Sequence, residues 1–224
     1  EMIDIPISPE LEVTDHIIEL IDHPGAELIE TFADGKVKLV SVKAKKGGKL
    51  VNRELKSIKN DIPDIDTFVP TIYRKNKAIV PDGNTVIKEN DQVYFLSAEK
   101  NIDSILKEMR DQTVDSSRIM IVGGGMIGSS LASSLENKYK VKVLETSLER
   151  CEMLSKDLNK AIVLNGDGSD EELLRSENIE NIDVFCALTD DDETNIMSAF
   201  LAKKLGARKT PVSYTHLTLP TKQM

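Results

Sequence analysis

The chain has 224 residues, of which 40% are hydrophobic and 30% charged, with 12 Gly and 8 Pro. That suits one large or two small folded domains and excludes collagen-like, disordered and disulfide-scaffold classes. A net charge of −9, no strongly basic block and only 4% aromatics without Trp argue against a nucleic-acid surface, which needs clustered cations and stacking rings. Cys151 and Cys186 form no C-x-x-C pair and read as buried small apolar residues of a reducing compartment. His16, His23 and His216 have no metal-ligand spacing, so no metal site is expected. The longest apolar stretch, Ile119 to Gly128, is too short and glycine-rich to span a bilayer. With no signal peptide, the expected location is the cytosol. The chain opens on Glu1, and the gene is expected to start earlier.

Residues 1–24 read as a short strand through Ile3, Ile5 and Ile7, then a helix capped by Ser8 with Pro9 at its first position. Leu11, Ile17, Ile18 and Ile21 fall at helical spacing, and Pro24-Gly25 ends the run. Residues 25–100 read as mainly β, with strands at Glu27–Phe32, Val37–Ala44, Thr67–Tyr73, Ala78–Val80 and Gln92–Leu96. Turn residues at Ala33-Asp34-Gly35, Gly47-Gly48 and Pro81-Asp82-Gly83-Asn84 separate several of them. Leu50–Ile58 reads as a helix. The six Lys and Arg between Lys43 and Lys56 read as a solvated face. Asn101–Met109 reads as a helix and Arg110–Ser117 as a polar linker.

From 117 to 211 strands and helices alternate. Strands are expected at Arg118–Val122, Val141–Glu145, Ala161–Leu164 and Asp183–Leu188, with Lys209 opening a fifth. Helices are expected at Ile127–Asn137, Leu148–Leu158, Asp170–Arg175 and Glu193–Leu205. Strands apolar on both faces, such as Val184–Leu188, belong in a parallel sheet, and right-handed crossovers then build a doubly wound α/β fold. From Val212 the sequence Val-Ser-Tyr-Thr-His-Leu-Thr-Leu-Pro-Thr resembles read-through of a transposase adapter used in sequencing libraries. Residues 212–224 are therefore set apart from the fold.

Gly123-Gly124-Gly125-Met126-Ile127-Gly128 fits G-x-G-x-x-G between an apolar strand and a helix. Gly123 allows the tight turn, Gly125 lets the backbone approach a pyrophosphate, and Gly128 lets the helix pack closely on the strand. Glu145 follows 22 residues after Gly123, at the end of the second strand, where a carboxylate accepts from ribose hydroxyls and repels a 2′-phosphate. Two later strand ends face the same crevice. In Asn165-Gly166-Asp167-Gly168, Asp167 serves either ligand contact or turn chemistry. Ser169 with Glu172, and Thr189 with Asp192, fit capping boxes; Thr189 can cap and also meet the ligand. Arg150 reaches a phosphate or pairs with an acid.

The glycine run, Val-Leu-Glu-Thr-Ser-Leu-Glu-Arg-Cys (143–151), Asn-Gly-Asp-Gly (165–168) and Leu-Thr-Asp-Asp-Asp-Glu-Thr-Asn (188–195) resemble the NAD-binding domain of the TrkA family, built from RCK (KTN) domains. Upstream, Pro-Gly-Ala-Glu (24–27), Phe-Ala-Asp-Gly (32–35) and Ile-Val-Pro-Asp-Gly-Asn-Thr-Val-Ile (79–87) are similar to the small RCK-C domain. The resemblance implies the end of a preceding RCK-N domain at 1–24, a small α+β RCK-C domain at 25–110, and a truncated RCK-N Rossmann domain with a doubly wound parallel sheet at 117–211. It also implies a non-catalytic, cytosolic regulatory subunit, peripheral to the inner membrane face, that gates a membrane potassium transporter and assembles as a homo-oligomer. NAD+ or NADH is the implied ligand, with an adenine nucleotide as alternative. Carried over, Gly123, Gly124, Gly125, Met126 and Ile127 contact the phosphates, Gly128 completes the cofactor-binding motif, and Glu145 takes the ribose. Asp167 and Gly168 take the adenosine end, and Leu188 and Thr189 the far side.

Two enzymatic readings compete. An NAD-dependent dehydrogenase fragment needs a His, Lys or Tyr acid–base group placed by a second domain, and none stands at a suggestive spacing. A methyltransferase is permitted by Glu145 but disfavoured by three glycines suited to pyrophosphate.

Overall fold

A computed structural model describes residues 9–61, 65–109 and 117–210. The expected strand at Ile3–Ile7, the Ser8 cap and the tail from Val212 lie outside the described residues. The chain divides into two units, residues 19–115 and residues 1–18 with 116–224. Helix α1 (Pro9–Asp22) runs through the division.

The first unit contains β1 (Ala26–Phe32), β2 (Val37–Lys43), α2 (Ile58–Asp61), β3 (Thr67–Arg74), β4 (Lys77–Ile79), β5 (Gln92–Ala98) and α3 (Ile102–Glu108). The strands form an antiparallel sheet in the order β1-β2-β5-β3-β4. Burial alternates along β5, as in a sheet that covers a core on one side only. Val40, Val42, Val93 and Phe95 meet Ile102, Ile105 and Leu106 of α3 in that core. Ala33, Asp34 and Gly35 all have positive φ and turn β1 into β2. Asp91 is buried and receives Arg74 Nε at 2.8 Å, Arg74 Nη2 at 2.7 Å and the Lys88 N–H at 2.7 Å.

Leu50–Ile58 is not the expected helix. Asn52 takes a left-handed φ of 65° and donates its N–H to the Ile87 carbonyl at 2.7 Å. Leu55 donates to Thr85 and Ile87 to Arg53. Pairing with the 83–87 segment outcompetes local helix bonds, and only Leu55–Ser57 (a 3-10 turn) and α2 coil.

The second unit continues with β6 (Arg118–Val122), α4 (Met126–Leu135), β7 (Lys140–Glu145), α5 (Leu148–Asp157), β8 (Ile162–Asn165), α6 (Glu171–Ser176), β9 (Val184–Ala187) and α7 (Asp192–Lys204). All four strands are parallel, in the order β8-β7-β6-β9. Every residue of β9 is buried, as expected for a strand covered on both faces. Phe185, among its core neighbours Met120, Leu174 and Ala199, contributes about 1.5–3 kcal/mol by leaving water. Cys151 and Cys186 are buried thiols, and burial pushes Cys186 up to about 12. Lys209 makes one parallel bridge to Val184 and opens no full strand among the described residues.

Two buried carboxylates close this unit's loops. Glu136 accepts the N–H groups of Asn159, Lys160 and Ala161 at 2.9, 2.7 and 2.9 Å. Asp183 accepts those of Ser117 and Arg118 at 2.9 and 3.0 Å and pairs with Arg208 at 3.0 Å. Burial works against the charge on Asp183, but these donors outweigh it and hold the carboxyl below its ordinary value.

Candidate functional site

After β8 the chain crosses back past β7 and β6 to reach β9. The strand order therefore reverses at β6, and ligands of such sheets gather outside the carboxyl ends at that point. The glycine run occupies the turn there. Gly123 has φ +99° and its N–H continues the ladder to the Leu144 carbonyl at 2.9 Å. A Cβ on Gly123 would lie 2.6 Å from the Leu188 oxygen, and one on Gly128 would run into the Gly123 carbonyl. Gly128 thus supports the turn from behind and does not line the cleft. Gly125 differs: its φ of −68° suits any residue, and a Cβ added there would meet nothing within 4 Å.

The helix that starts here has an open end. Side chains cap α5, α6 and α7, from Ser147, Asp170 and Asp191, but among the described residues none caps α4. Its first-turn amides, with the positive end of the helix dipole, face the cleft beside Gly125. Met126 and Ile127 line the same edge, Met126 being 71% exposed.

Glu145 stands opposite and does more than the sequence implies. It is only 5% exposed. Its Oε2 accepts the Gly124 N–H at 2.9 Å and its Oε1 accepts the Ser147 N–H at 2.8 Å. Burial opposes its charge, but Ser147, Gly124, Arg150 and Thr146 outweigh it and hold the carboxyl below the usual Glu range. The acid is therefore ionised at neutral pH and ties the glycine turn to the end of β7. Oε1 also accepts the Thr146 hydroxyl at 3.3 Å, so with two lone pairs per oxygen the acceptor capacity left for a ribose hydroxyl lies on Oε2. Arg150 Nη1 lies 3.8 Å from Glu145 Oε2, so Arg150 pairs with this acid while its outer half stays exposed on the cleft.

The expected capping boxes are displaced. Asp170, not Ser169, caps α6 by accepting from Glu172 and Leu173. Asp191, not Thr189, caps α7 by accepting from Glu193 and Thr194. The helices begin one or two places later than the boxes assume, so Asp170 and Asp191 take the extended backbone of the N-cap position. Asp167 Oδ1 accepts the Ser169 N–H at 2.8 Å and its hydroxyl at 2.7 Å, so it performs turn chemistry while lining the cleft. Gly168 has no room for a Cβ beside Val122. Across the cleft, the Leu188 N–H donates to Val122 at 2.8 Å. Asn195 of α7, fully buried, binds Thr189 three times. Sequence reading passed over Asn195; its only signal was an amide six residues beyond Thr189 in an otherwise ordinary helix.

The structure brings Gly123, Gly124, Gly125, Met126 and Ile127 together with Glu145, Asp167, Gly168, Leu188 and Thr189 around one cleft of about 830 Å³. Its described lining carries the carboxylates of Glu145, Asp157, Asp167, Asp190 and Asp191 against the single guanidinium of Arg150.

The TrkA-N domain model matches residues 119–216, and the TrkA-C domain model residues 39–110. The Trk system potassium uptake protein TrkA of Halomonas elongata is 50% identical over 207 residues, 92% of this chain and 45% of that protein. The chain belongs to the TrkA family. The TrkA of Vibrio alginolyticus is 48% identical over 94% of this chain and 46% of that protein. The chain thus spans about half the length of these TrkA relatives. The crystal structure of the GsuK RCK domain aligns over 91% of this chain and 48% of that one, with TM-score 0.53 and 16% identity. The GsuK channel bound to NAD aligns over 91% and 40%, with TM-score 0.53 and 15% identity. The overlay shows a shared RCK fold, and identity that low carries the likeness no further than the fold.

Proposed function

We propose that this TrkA chain is part of a cytosolic regulatory subunit, peripheral to the inner membrane face, that gates a membrane potassium transporter and holds NAD(H) at its glycine-rich turn. Residues 1–24 are the end of one RCK-N domain, 25–110 an RCK-C domain and 117–211 a second RCK-N domain, through which copies of the subunit assemble as an oligomer. One observation carries the nucleotide reading. Gly125 leaves open space that no part of the fold uses, at the uncapped start of α4, where a pyrophosphate gains both amide donors and the dipole. Glu145 then takes a ribose hydroxyl, Asp167 and Gly168 the adenosine end, and Leu188 and Thr189 the far side.

The charge of the lining refines the ligand. Five carboxylates against one guanidinium disfavour each additional phosphate. A dinucleotide with one pyrophosphate suits this rim better than metal-free ATP or a 2′-phosphorylated dinucleotide. The similar proteins are named as potassium uptake proteins and not as enzymes, which favours a ligand-driven switch over a dehydrogenase, and a switch needs only different affinities for the ligand in two arrangements.

Calorimetric titration of an intact subunit tests this reading: NADH binds more tightly than NADPH or metal-free ATP, and equal affinities reject the Glu145 assignment. Glu145→Gln weakens NADH by about 1–3 kcal/mol, the scale of a hydrogen bond to a charged group. Gly125→Asp keeps the fold, because φ −68° suits Asp, and abolishes binding. In a potassium-dependent growth assay that variant changes uptake or its nucleotide response. Unchanged uptake despite lost binding rejects the switch.

A further inference from the structure

We propose that Asn195 is a positioning residue for the nucleotide, acting through the Leu188–Thr189 peptide that closes the far side of the cleft; the inference rests on the nucleotide reading above. Asn195 lies in the first turn of α7 and is fully buried. Its Nδ2 donates to the Thr189 carbonyl at 2.9 Å, and its Oδ1 accepts both the Thr189 N–H and the Thr189 hydroxyl at 2.8 Å. The amide therefore grips both sides of one residue's backbone, a geometry that neither Asp nor Leu reproduces, since it needs a donor and an acceptor on one flat group.

What Asn195 holds is the wall against which the glycine turn rests. The Leu188 oxygen and the Thr189 nitrogen stand 2.6 and 2.9 Å from where a Gly123 Cβ would be. The 188–189 peptide is thus seated on Gly123 from one side and locked by Asn195 from the other. The Thr189 hydroxyl is engaged by Asn195 Oδ1 and lies 3.1 Å from the Asp191 carbonyl. With its only hydrogen committed inside the loop and one lone pair accepting the Asp191 N–H at 3.3 Å, Thr189 meets a ligand through shape and through its one remaining lone pair, and its place is set by Asn195.

Strand order makes the effect one-sided. In the sequence β8-β7-β6-β9, Glu145 and Asp167 follow β7 and β8 on one side of the glycine turn. Thr189 follows β9 on the other. A mononucleotide that ends at the turn needs only the first side. A dinucleotide that crosses the turn needs both.

The test is calorimetric titration of the intact subunit and its Asn195→Ala and Asn195→Asp variants with NADH and with AMP. Asn195→Ala weakens NADH about tenfold or more, the scale of lost buried hydrogen bonds, while AMP stays within about twofold. Asn195→Asp keeps the acceptor contacts, loses the donor to the Thr189 carbonyl, and weakens NADH in the same selective way; it carries the test where the Ala variant fails to fold. Equal loss for both ligands, or no loss for either, overturns the proposal, because a general loosening of the fold does not distinguish them. A wild-type protein that binds neither ligand overturns the nucleotide reading itself and this proposal with it.

Discussion

The two units of the chain treat buried polar groups in opposite ways. In the antiparallel unit, charges are satisfied by one another: Asp91 is filled by Arg74 and the Lys88 N–H, and Lys38 is held between Glu19 and Glu99 at 2.8 and 3.3 Å. In the parallel unit, buried polar side chains bond mainly to backbone, at both edges of the sheet: Glu136 and Asp183 hold the chain ahead of β8 and β6, while at the carboxyl edge Glu145 holds Gly124 and Ser147, and Asn195 holds Thr189. The first arrangement is closed and stabilises a sheet. The second holds turns in place beside an open helix start. A parallel sheet sends every strand end to the same edge, so its loops converge; an antiparallel sheet sends them to both edges.

The strongest way to break this contrast is within the glycine run. Gly128→Val drives a side chain into the Gly123 carbonyl and abolishes cooperative unfolding of the parallel unit, read by calorimetry, whereas Gly125→Asp leaves that transition in place and removes only binding. Next, in the antiparallel unit, Asp91→Ala removes the carboxylate partner of Arg74, which is part-exposed and keeps its bond to the Val86 carbonyl, and leaves the Lys88 N–H without that acceptor. The loss is about 1.5–3 kcal/mol of that unit's stability in urea titration, the scale of hydrogen bonds to a charged group, with NADH affinity unchanged. An affinity change there would show that the two units are not independent in function.

Acid sharpens the comparison further. The Asp183 carboxyl is held below its ordinary value, so the folded protein binds fewer protons than the unfolded chain in the acid range. The stabilisation is complete above the unfolded value of about 4 and is lost as pH falls through the lower folded value. Asp183→Asn therefore flattens the acid limb of a plot of melting temperature against pH; an unaltered limb refutes the role given to this carboxylate. The smallest effect is expected at Arg175, whose pair with Glu171 on α6 is solvent-exposed on both sides. Arg175→Ala costs about 0.3–0.5 kcal/mol by urea titration and does not alter binding.

Much of the parallel unit was legible in the residues. Arg118–Val122 matched β6 end to end, and α5 began at the expected Leu148, because doubly buried strands and a serine-capped helix start leave patterns that local chemistry enforces. Leu50–Ile58 misled because apolar spacing there is helical, while the partners that decided its path, Thr85 and Ile87, lie about thirty residues downstream. The caps of α6 and α7 were misplaced for a finer reason. Several residues at each helix start are competent to cap, and backbone geometry selects one.

By itself, then, the sequence determined the alternation of elements, the glycine turn after β6 and the acid at the end of β7, since these rest on periodicity, backbone freedom and spacing along one chain. Tertiary structure alone decided which glycine is free. Gly123, Gly125 and Gly128 are chemically identical, and only the positions of the Leu188 and Gly123 carbonyls make two of them necessary to the fold and leave Gly125 open. It also decided what Glu145 and Asn195 hold, because a hydrogen bond to a backbone amide on another loop depends on where the strands place that loop, and no residue type records it.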